Sequence, residues 1–219
     1  MHPNPAFRRV ARATSLEFAR AQGFGQLLIN GADGWPLVAH VPFVLDASGA
    51  VAGFHLVRSN PIARAVGQGV GQGVGQGVPA RLVVQGPHSY VSPDWYEMPQ
   101  QVPTWNYVAV HLSGEIRPCT SDALLAQLDQ ISAQFEARLA PKRPWTHAKM
   151  DPQVMEGMMR QIVPFALHVT QVDGTWKLGQ NKPDAARLAA AGQMVQHGMG
   201  CNVAELAALM HTPPADQLD

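Results

Sequence analysis

Residues 85–114 read QGPHSYVSPDWYEMPQQVPTWNYVAVHLSG, and this stretch decides the fold. Gly86-Pro87 predicts that the preceding apolar strand stops before His88, because proline removes a backbone donor from a sheet ladder. From Trp105 onward apolar and polar residues alternate, which predicts a strand with two differently lined faces. Trp105 and Asn106 then point to opposite faces.

The same stretch is rich in rings and poor in charge, and two interpretations stay open. Trp95, Tyr96, Trp105 and Tyr107 can be ordinary core or interface aromatics, the commoner fate of such residues. Alternatively, they form flat walls for a planar heterocyclic ligand, because amides and imidazoles that can supply convergent polar contacts lie beside them.

The chain before and after this stretch predicts short antiparallel strands followed by helices. Short strands with tight turns are typical of an antiparallel meander or barrel. Methionines 158 and 159 fall at helical spacing and predict core packing. The predicted strands cover residues 24–30, 36–45, 51–57, 81–85, 105–112, 165–172 (with a turn at 173–174) and 176–181. The predicted helices cover residues 16–23, 61–66, 122–139, 184–197 and 201–210. A further predicted helix begins at Pro152.

Length and composition predict one domain over residues 1–219, with a helical C-terminal extension at 184–211. The 16 basic and 16 acidic residues balance, so charge alone does not support nucleic-acid binding. The two cysteines lack CxxC spacing, so we expect no metal site and a reducing, cytoplasmic setting. No apolar run approaches the roughly 20 residues that cross a bilayer.

Residues 67–78 contain GQGVGQGVGQGV, three tandem copies of four residues. A phosphate-binding loop needs Lys-Ser or Lys-Thr after its last glycine, whereas Val78-Pro79 follows here. We therefore predict a flexible insertion of unassigned role.

Two further segments each allow a ligand-binding and a structural interpretation. Arg58 precedes Asn60-Pro61 at a predicted helix start, which suits either an anion site or a simple cap with a surface arginine. Residues 177–181, KLGQN, offer a lysine and two amides that can bind a polar ligand, or they form a loop that caps the following helix. Histidines 40, 55, 88 and 111 can make polar contacts, although a lone histidine on a strand is more often structural.

No catalytic triad, paired carboxylate or HExxH pattern stands at a recognisable spacing, so any chemistry must come from a cofactor. Several motifs resemble the PaiB family of FMN-binding negative transcriptional regulators, over roughly residues 16–188. Gly179 and Pro164 depart from the Ser and Gly usual in that family, and residues 67–78 look like an insertion. The motifs are GFGQLLI (23–29), HVPFVLD (40–46), HLVRSNP (55–61), QGPHSYVSPDWY (85–96), VPTWNYVAVHLSG (102–114) and KLGQNK (177–182).

The resemblance implies a mainly β (α+β) fold, an antiparallel split β-barrel with peripheral helices, that forms a homodimer with FMN at the interface. It also implies a flavin-dependent sensor or negative transcriptional regulator. The alternative is an FMN-dependent oxidoreductase on a small molecule, or a haem-handling protein. Direct DNA binding lacks support because no basic recognition helix is visible. The implied cofactor-binding residues are His40, His55, Arg58, Asn60, Trp105, Asn106, Lys177, Gln180 and Asn181, with His88 and Tyr90 on the substrate side.

Overall fold

The computed structural model describes residues 2–68 and 77–215, so most of the GQGV repeat lies outside the described residues. The chain divides into two compact units. Unit 1 contains Met1–Phe18, Val84–His111 and Val172–Asp219, and unit 2 contains Ala19–Val83 and Leu112–Gln171. The assignment of residues 1–219 to a single domain stays a prediction.

The described part of the chain forms one antiparallel sheet of eight strands, in the order β2-β1-β5-β6-β7-β4-β3, with β8 paired to β5. The long strands β5, β6 and β7 contribute residues to both units. The strands are β1 Phe24–Asn30, β2 Pro36–Pro42, β3 Val44–Leu45, β4 Val51–Val57, β5 Val78–Val91, β6 Thr104–Pro118, β7 Ile162–Lys177 and β8 Gly200–Cys201.

Six α-helices accompany the sheet in the described residues, and none of them is long and apolar enough to span a bilayer. Met158 on α4 is 57% exposed, so the predicted core packing of this residue is wrong. The helices are α1 Arg12–Gln22, α2 Pro61–Gly67, α3 Ala123–Glu136, α4 Pro152–Met159, α5 Asp184–His197 and α6 Val203–His211.

The predicted end of β5 before His88 is wrong, because the strand continues to Val91. Along one edge of β5, pairing to β1 ends at Val83 and pairing to β8 begins at His88. Pro87 lies in the gap between these partners, so its missing N–H interrupts neither pairing.

The predicted turn at Asp173-Gly174 is also wrong, since β7 runs through it. A Cβ at Gly174 would lie 2.4 Å from Ser15 Oγ, so a close approach rather than a turn requires this glycine. The predicted strand 36–45 is instead split at Phe43, whose N–H donates to the Gly23 carbonyl (2.8 Å).

The core of unit 2 forms around a cross-strand aromatic pair. Phe54 on β4 stands opposite Phe165 on β7, and their rings stack with centroids 6.2 Å apart. Helix α3 covers this part of the sheet, and two of its glutamines donate to strand or loop carbonyls: Gln127 to Phe165 O (3.0 Å) and Gln134 to Phe43 O (3.3 Å). The helix is therefore fixed by polar bonds as well as by apolar contact.

The core of unit 1 forms where α5 and α6 pack together. Trp176 and Leu178, at and just beyond the end of β7, are buried in the same cluster as Met194 and Met210 from the two helices. The Trp176 indole N–H donates to Ser15 Oγ (3.2 Å), which satisfies its one polar group inside this cluster.

We expect Phe54→Ala to lower the free energy of unfolding by about 3–5 kcal/mol, because it leaves a cavity beside Phe165. Val57→Ala, at a 49% exposed position on the same strand, should change it by roughly 0.5 kcal/mol or less. Urea unfolding of both variants measures the difference. Equal effects of the two substitutions would contradict the placement of the core.

Candidate functional site

A small pocket in unit 1 brings together three of the predicted site residues. Asn106 from β6, Lys177 from the end of β7 and Asn181 from the following turn line a cavity of about 170 Å³. Thr104 and Lys182 also line it. We call this cavity the lysine pocket, because two ammonium groups dominate its charge.

The two lysines are held by neutral partners rather than by acids. Lys177 donates to Thr104 Oγ1 and Lys182 donates to Gln101 Oε1. Each ammonium group also lies over a ring, Lys177 at 5.9 Å from the Phe7 centroid and Lys182 at 5.3 Å from that of Tyr96. Among the described residues, no carboxylate pairs with either lysine, so the pocket carries uncompensated positive charge.

Burial lowers the pKa of Lys177 below its ordinary value, and the neighbouring charge of Lys182 lowers it further. Both causes disfavour the charged form, because a buried cation loses solvation and a second cation repels it. An anionic or electron-rich ligand group in the pocket would relieve both.

Asn106 supplies a buried acceptor to the same pocket. Its side chain is 1% exposed, and its amide nitrogen donates to the Met210 sulfur on α6 (3.4 Å). Its Oδ1 is buried without a hydrogen-bond partner among the described residues. A buried unsatisfied acceptor costs roughly 1–3 kcal/mol, so this oxygen is suited to a ligand that donates a hydrogen bond.

The turn after β7 shapes the pocket. Gly179 has φ of +80°, a conformation that glycine adopts without strain, so the departure from serine here suits the backbone. Gln180 Nε2 donates to Trp176 O (2.6 Å), and its Oε1 accepts from the Leu178 N–H (2.8 Å). The Gln180 amide thus braces the turn and does not line the pocket, and its ligand role stays a prediction.

A second cluster in unit 1 contains the rings of His88, Tyr90 and Trp105. The Trp105 centroid lies 6.0 Å from that of His88 and 6.3 Å from that of Tyr90. Trp105 is 46% exposed whereas Asn106 is buried, which confirms that these neighbours point to opposite faces of β6. The predicted substrate-side residues His88 and Tyr90, both half-buried, therefore lie beside the exposed ring of Trp105, and the lysine pocket lies on the other face of the strand.

The remaining predicted residues belong to unit 2. Asn60 caps α2, because its Oδ1 accepts from the Ile62 N–H (2.9 Å). His40 is exposed and stacks on Phe24, with centroids 6.4 Å apart. His55 is partly buried, its Nδ1 has no hydrogen-bond partner among the described residues, and burial lowers its pKa.

Arg58 lines a larger cavity of about 600 Å³, which we call the unit-2 cavity. Its Nε donates to the Arg160 carbonyl (2.6 Å), which holds the side chain at this position. The other walls include Met155 and Met159, whose i,i+4 spacing on α4 was the signal that the sequence offered for this cavity. Sequence reasoning missed the cavity because it assigned Met159 to the core and did not consider Met155.

Comparison with known proteins identifies the family of this chain. A family model described as "Putative FMN-binding domain" matches residues 1–171. The chain belongs to this FMN-binding family. It is also 28% identical, over 210 residues, to the Protease synthase and sporulation protein PAI 2 of Bacillus subtilis, an alignment that covers 94% of this chain and 95% of that protein. This chain is therefore a flavin-binding, PaiB-like protein.

Solved structures show the same fold. The FAD and haem binding protein of Mycobacterium smegmatis aligns with a TM-score of 0.56 at 16% identity, covering 89% of this chain and 82% of that one. The flavocytochrome Anf3 of Azotobacter vinelandii aligns with a TM-score of 0.54 at 11% identity, covering 80% and 72%. These likenesses confirm the predicted fold class, an antiparallel split β-barrel with peripheral helices.

We expect Lys182→Gln to raise the pKa of Lys177, because it removes the neighbouring positive charge and leaves the burial in place. Lys149→Gln, an exposed lysine of unit 2, is the matched control and should leave that pKa unchanged. Carbon-13 NMR titration of the lysine ε-carbons measures both. An unchanged Lys177 pKa in Lys182→Gln would show that the two ammonium groups do not interact.

Proposed function

We propose that this PaiB-like protein binds FMN, with the pyrimidine edge of the isoalloxazine in the lysine pocket, and acts as a flavin-dependent sensor with a negative regulatory role. The observation that supports it most is the buried, unpartnered Oδ1 of Asn106 beside two lysines that no described carboxylate neutralises. The family match supplies the flavin, and the pocket supplies a chemistry that suits one end of it.

The fit between the flavin and the lysine pocket depends on the order of their hydrogen-bond donors and acceptors. The pyrimidine edge of an isoalloxazine alternates carbonyl acceptors with one N–H donor. Lys177 and Lys182 are donors only, and Asn106 Oδ1 is an acceptor only. The N–H of the edge would satisfy Asn106, and the flanking carbonyls would accept from the ammonium groups. The volume of about 170 Å³ suits this edge rather than a whole cofactor.

Lysines at this edge also affect the flavin electronically. When bound, the flavin supplies hydride or electron transfer. Positive charge beside the pyrimidine ring stabilises the negative charge that a flavin acquires there on reduction, so Lys177 and Lys182 would favour the reduced cofactor. A sensor whose signal is the redox state of its flavin needs such tuning.

The FMN phosphate needs ligands other than those proposed for the isoalloxazine. The resemblance implies Arg58 and Asn60 as its ligands, and this stays a prediction. Asn60 already uses its Oδ1 to cap α2, which leaves only its amide N–H groups for a ligand. His40, His55, Gln180 and Asn181 likewise remain predicted binding residues, and so does Trp105.

The B. subtilis relative supports the regulatory role, because it is named a protease synthase and sporulation protein. The charge balance of 16 basic and 16 acidic residues disfavours direct binding to DNA. We therefore propose that the protein regulates through a protein partner that distinguishes its flavin states. A cytoplasmic homodimer with the cofactor at its interface is part of the same proposal.

An oxidoreductase is the second candidate, and the ring cluster favours it. Trp105 is 46% exposed beside His88 and Tyr90, and such an open aromatic surface can stack a planar substrate. Turnover of NADH or NADPH by the flavin-loaded protein, lost in Trp105→Ala, would favour the enzyme. Absence of turnover, together with redox-dependent capture of a partner, would favour the regulator.

We expect Asn106→Leu to weaken FMN binding roughly tenfold, because a buried hydrogen bond contributes about 0.5–1.5 kcal/mol. Lys182→Met should weaken it at least as much, since it removes a charge-assisted contact. Flavin fluorescence quenching on titration measures the affinity, and circular dichroism verifies folding.

The matched control is Asn30→Leu, an exposed asparagine at the end of β1, which should bind FMN like the natural protein. Natural FMN affinity in both Asn106→Leu and Lys182→Met would remove the lysine pocket from the flavin site. Failure of the natural protein to bind FMN or FAD would contradict the proposed function itself.

A further inference from the structure

The unit-2 cavity has the size of a site for a small organic molecule and is independent of the lysine pocket. Its volume of about 600 Å³ lies within the range of roughly 300–1,000 Å³ for ligand pockets. All the residues that line it belong to unit 2, whereas the lysine pocket is built from unit 1 alone. The two cavities can therefore take different ligands.

The apolar walls of the unit-2 cavity are mostly aliphatic. Most of these apolar residues come from α3, α4 and the beginning of β7, and no phenylalanine, tyrosine or tryptophan is among the described lining residues. Methionine side chains adapt to irregular shapes, so these walls suit a flexible aliphatic body better than a rigid flat ring. The main wall residues are Leu124, Leu125, Met155, Met159, Ile162 and Val163.

Among the described residues that line the unit-2 cavity, Arg58 is the cation without a counter-ion. Arg160 pairs with Glu156 (2.8 Å), and His147 pairs with Asp129 (2.7 Å). Arg58 instead donates through Nε to a backbone carbonyl, and none of the carboxylates in residues 2–68 and 77–215 pairs with it. Its terminal amino groups remain available to a bound anion.

Other polar groups of the lining are compatible with an anionic ligand. The Cys119 thiol is partly buried, and burial raises its pKa, so it contributes no negative charge at neutral pH. Ser121 adds a neutral hydroxyl. Glu156 is the one carboxylate among the described lining residues, and Arg160 neutralises it.

We propose that the unit-2 cavity binds an organic carboxylate with an aliphatic body, whose carboxylate group pairs with the Arg58 guanidinium. Planar guanidinium and carboxylate groups match as a bidentate pair, which fixes the orientation of the ligand. The aliphatic body then lies against the leucine and methionine side chains of α3 and α4. Such a ligand is a second, non-flavin input to the protein.

Isothermal titration calorimetry of the full-length protein with sodium decanoate tests this proposal, with decanol as the uncharged analogue. We expect one decanoate per chain and binding of decanol at least tenfold weaker, because decanol lacks the charge-assisted contact. Arg58→Gln should weaken decanoate binding about tenfold or more. Met155→Trp, which fills the cavity with a larger side chain, should abolish it.

Arg64→Gln is the matched control, since this arginine is exposed on α2 and lies outside the lining. It should bind decanoate like the natural protein. Equal affinity for decanoate and decanol, or natural affinity in Arg58→Gln, would overturn the proposal, and so would natural affinity in a folded Met155→Trp protein.

Titration of FMN into the same variants separates this inference from the proposed function. We expect Met155→Trp to bind FMN like the natural protein while it loses decanoate, because Met155 lines the unit-2 cavity and has no proposed role in flavin binding. Loss of FMN binding in Arg58→Gln with decanoate binding intact would assign Arg58 to the flavin phosphate and overturn the carboxylate site. Stoichiometric displacement of FMN by decanoate would overturn it as well, because the two ligands would then share one site.

Discussion

The alternation of side chains along β6 is the constraint on which the proposed chemistry depends. Because successive residues of a strand face opposite sides, one strand places Trp105 toward solvent and Asn106 in the interior. A shift of register by one residue would expose the amide and bury the indole. The ring cluster and the lysine pocket are thus two faces of the same strand, and neither can change without the other.

Several elements could be predicted from the sequence because local chemistry determines them. The bounds of β1 and β4 and the asparagine cap of α2 follow from patterns within a few residues. The course of β5 through Pro87 could not be predicted in this way. It depends on where β1 and β8 end, and residues distant in the sequence decide that. Gly174 was misread for the same reason, since its neighbour Ser15 lies far away along the chain.

The candidate site likewise contains some residues that the sequence could predict and others that it could not. Asn106 and Lys177 could be singled out because amides and lysines are rare within aromatic or apolar surroundings, and the family motif includes both. Lys182 belongs to the same motif but was not singled out, because only folding places its ammonium group in the same pocket as that of Lys177. The unit-2 cavity was missed because its walls come from several separate elements, and no single segment contains more than a part of them.

The match to the family model ends at residue 171, but β7 continues to Lys177, so this boundary falls inside a strand. Several parts of the lysine pocket lie beyond residue 171: both lysines, the turn at Gly179 and the α6 methionine whose sulfur accepts a hydrogen bond from Asn106. A protein truncated at residue 171 would keep the motif-rich part of the chain and lose the cations. The end of the family-model match is therefore a poor guide to which residues form the lysine pocket.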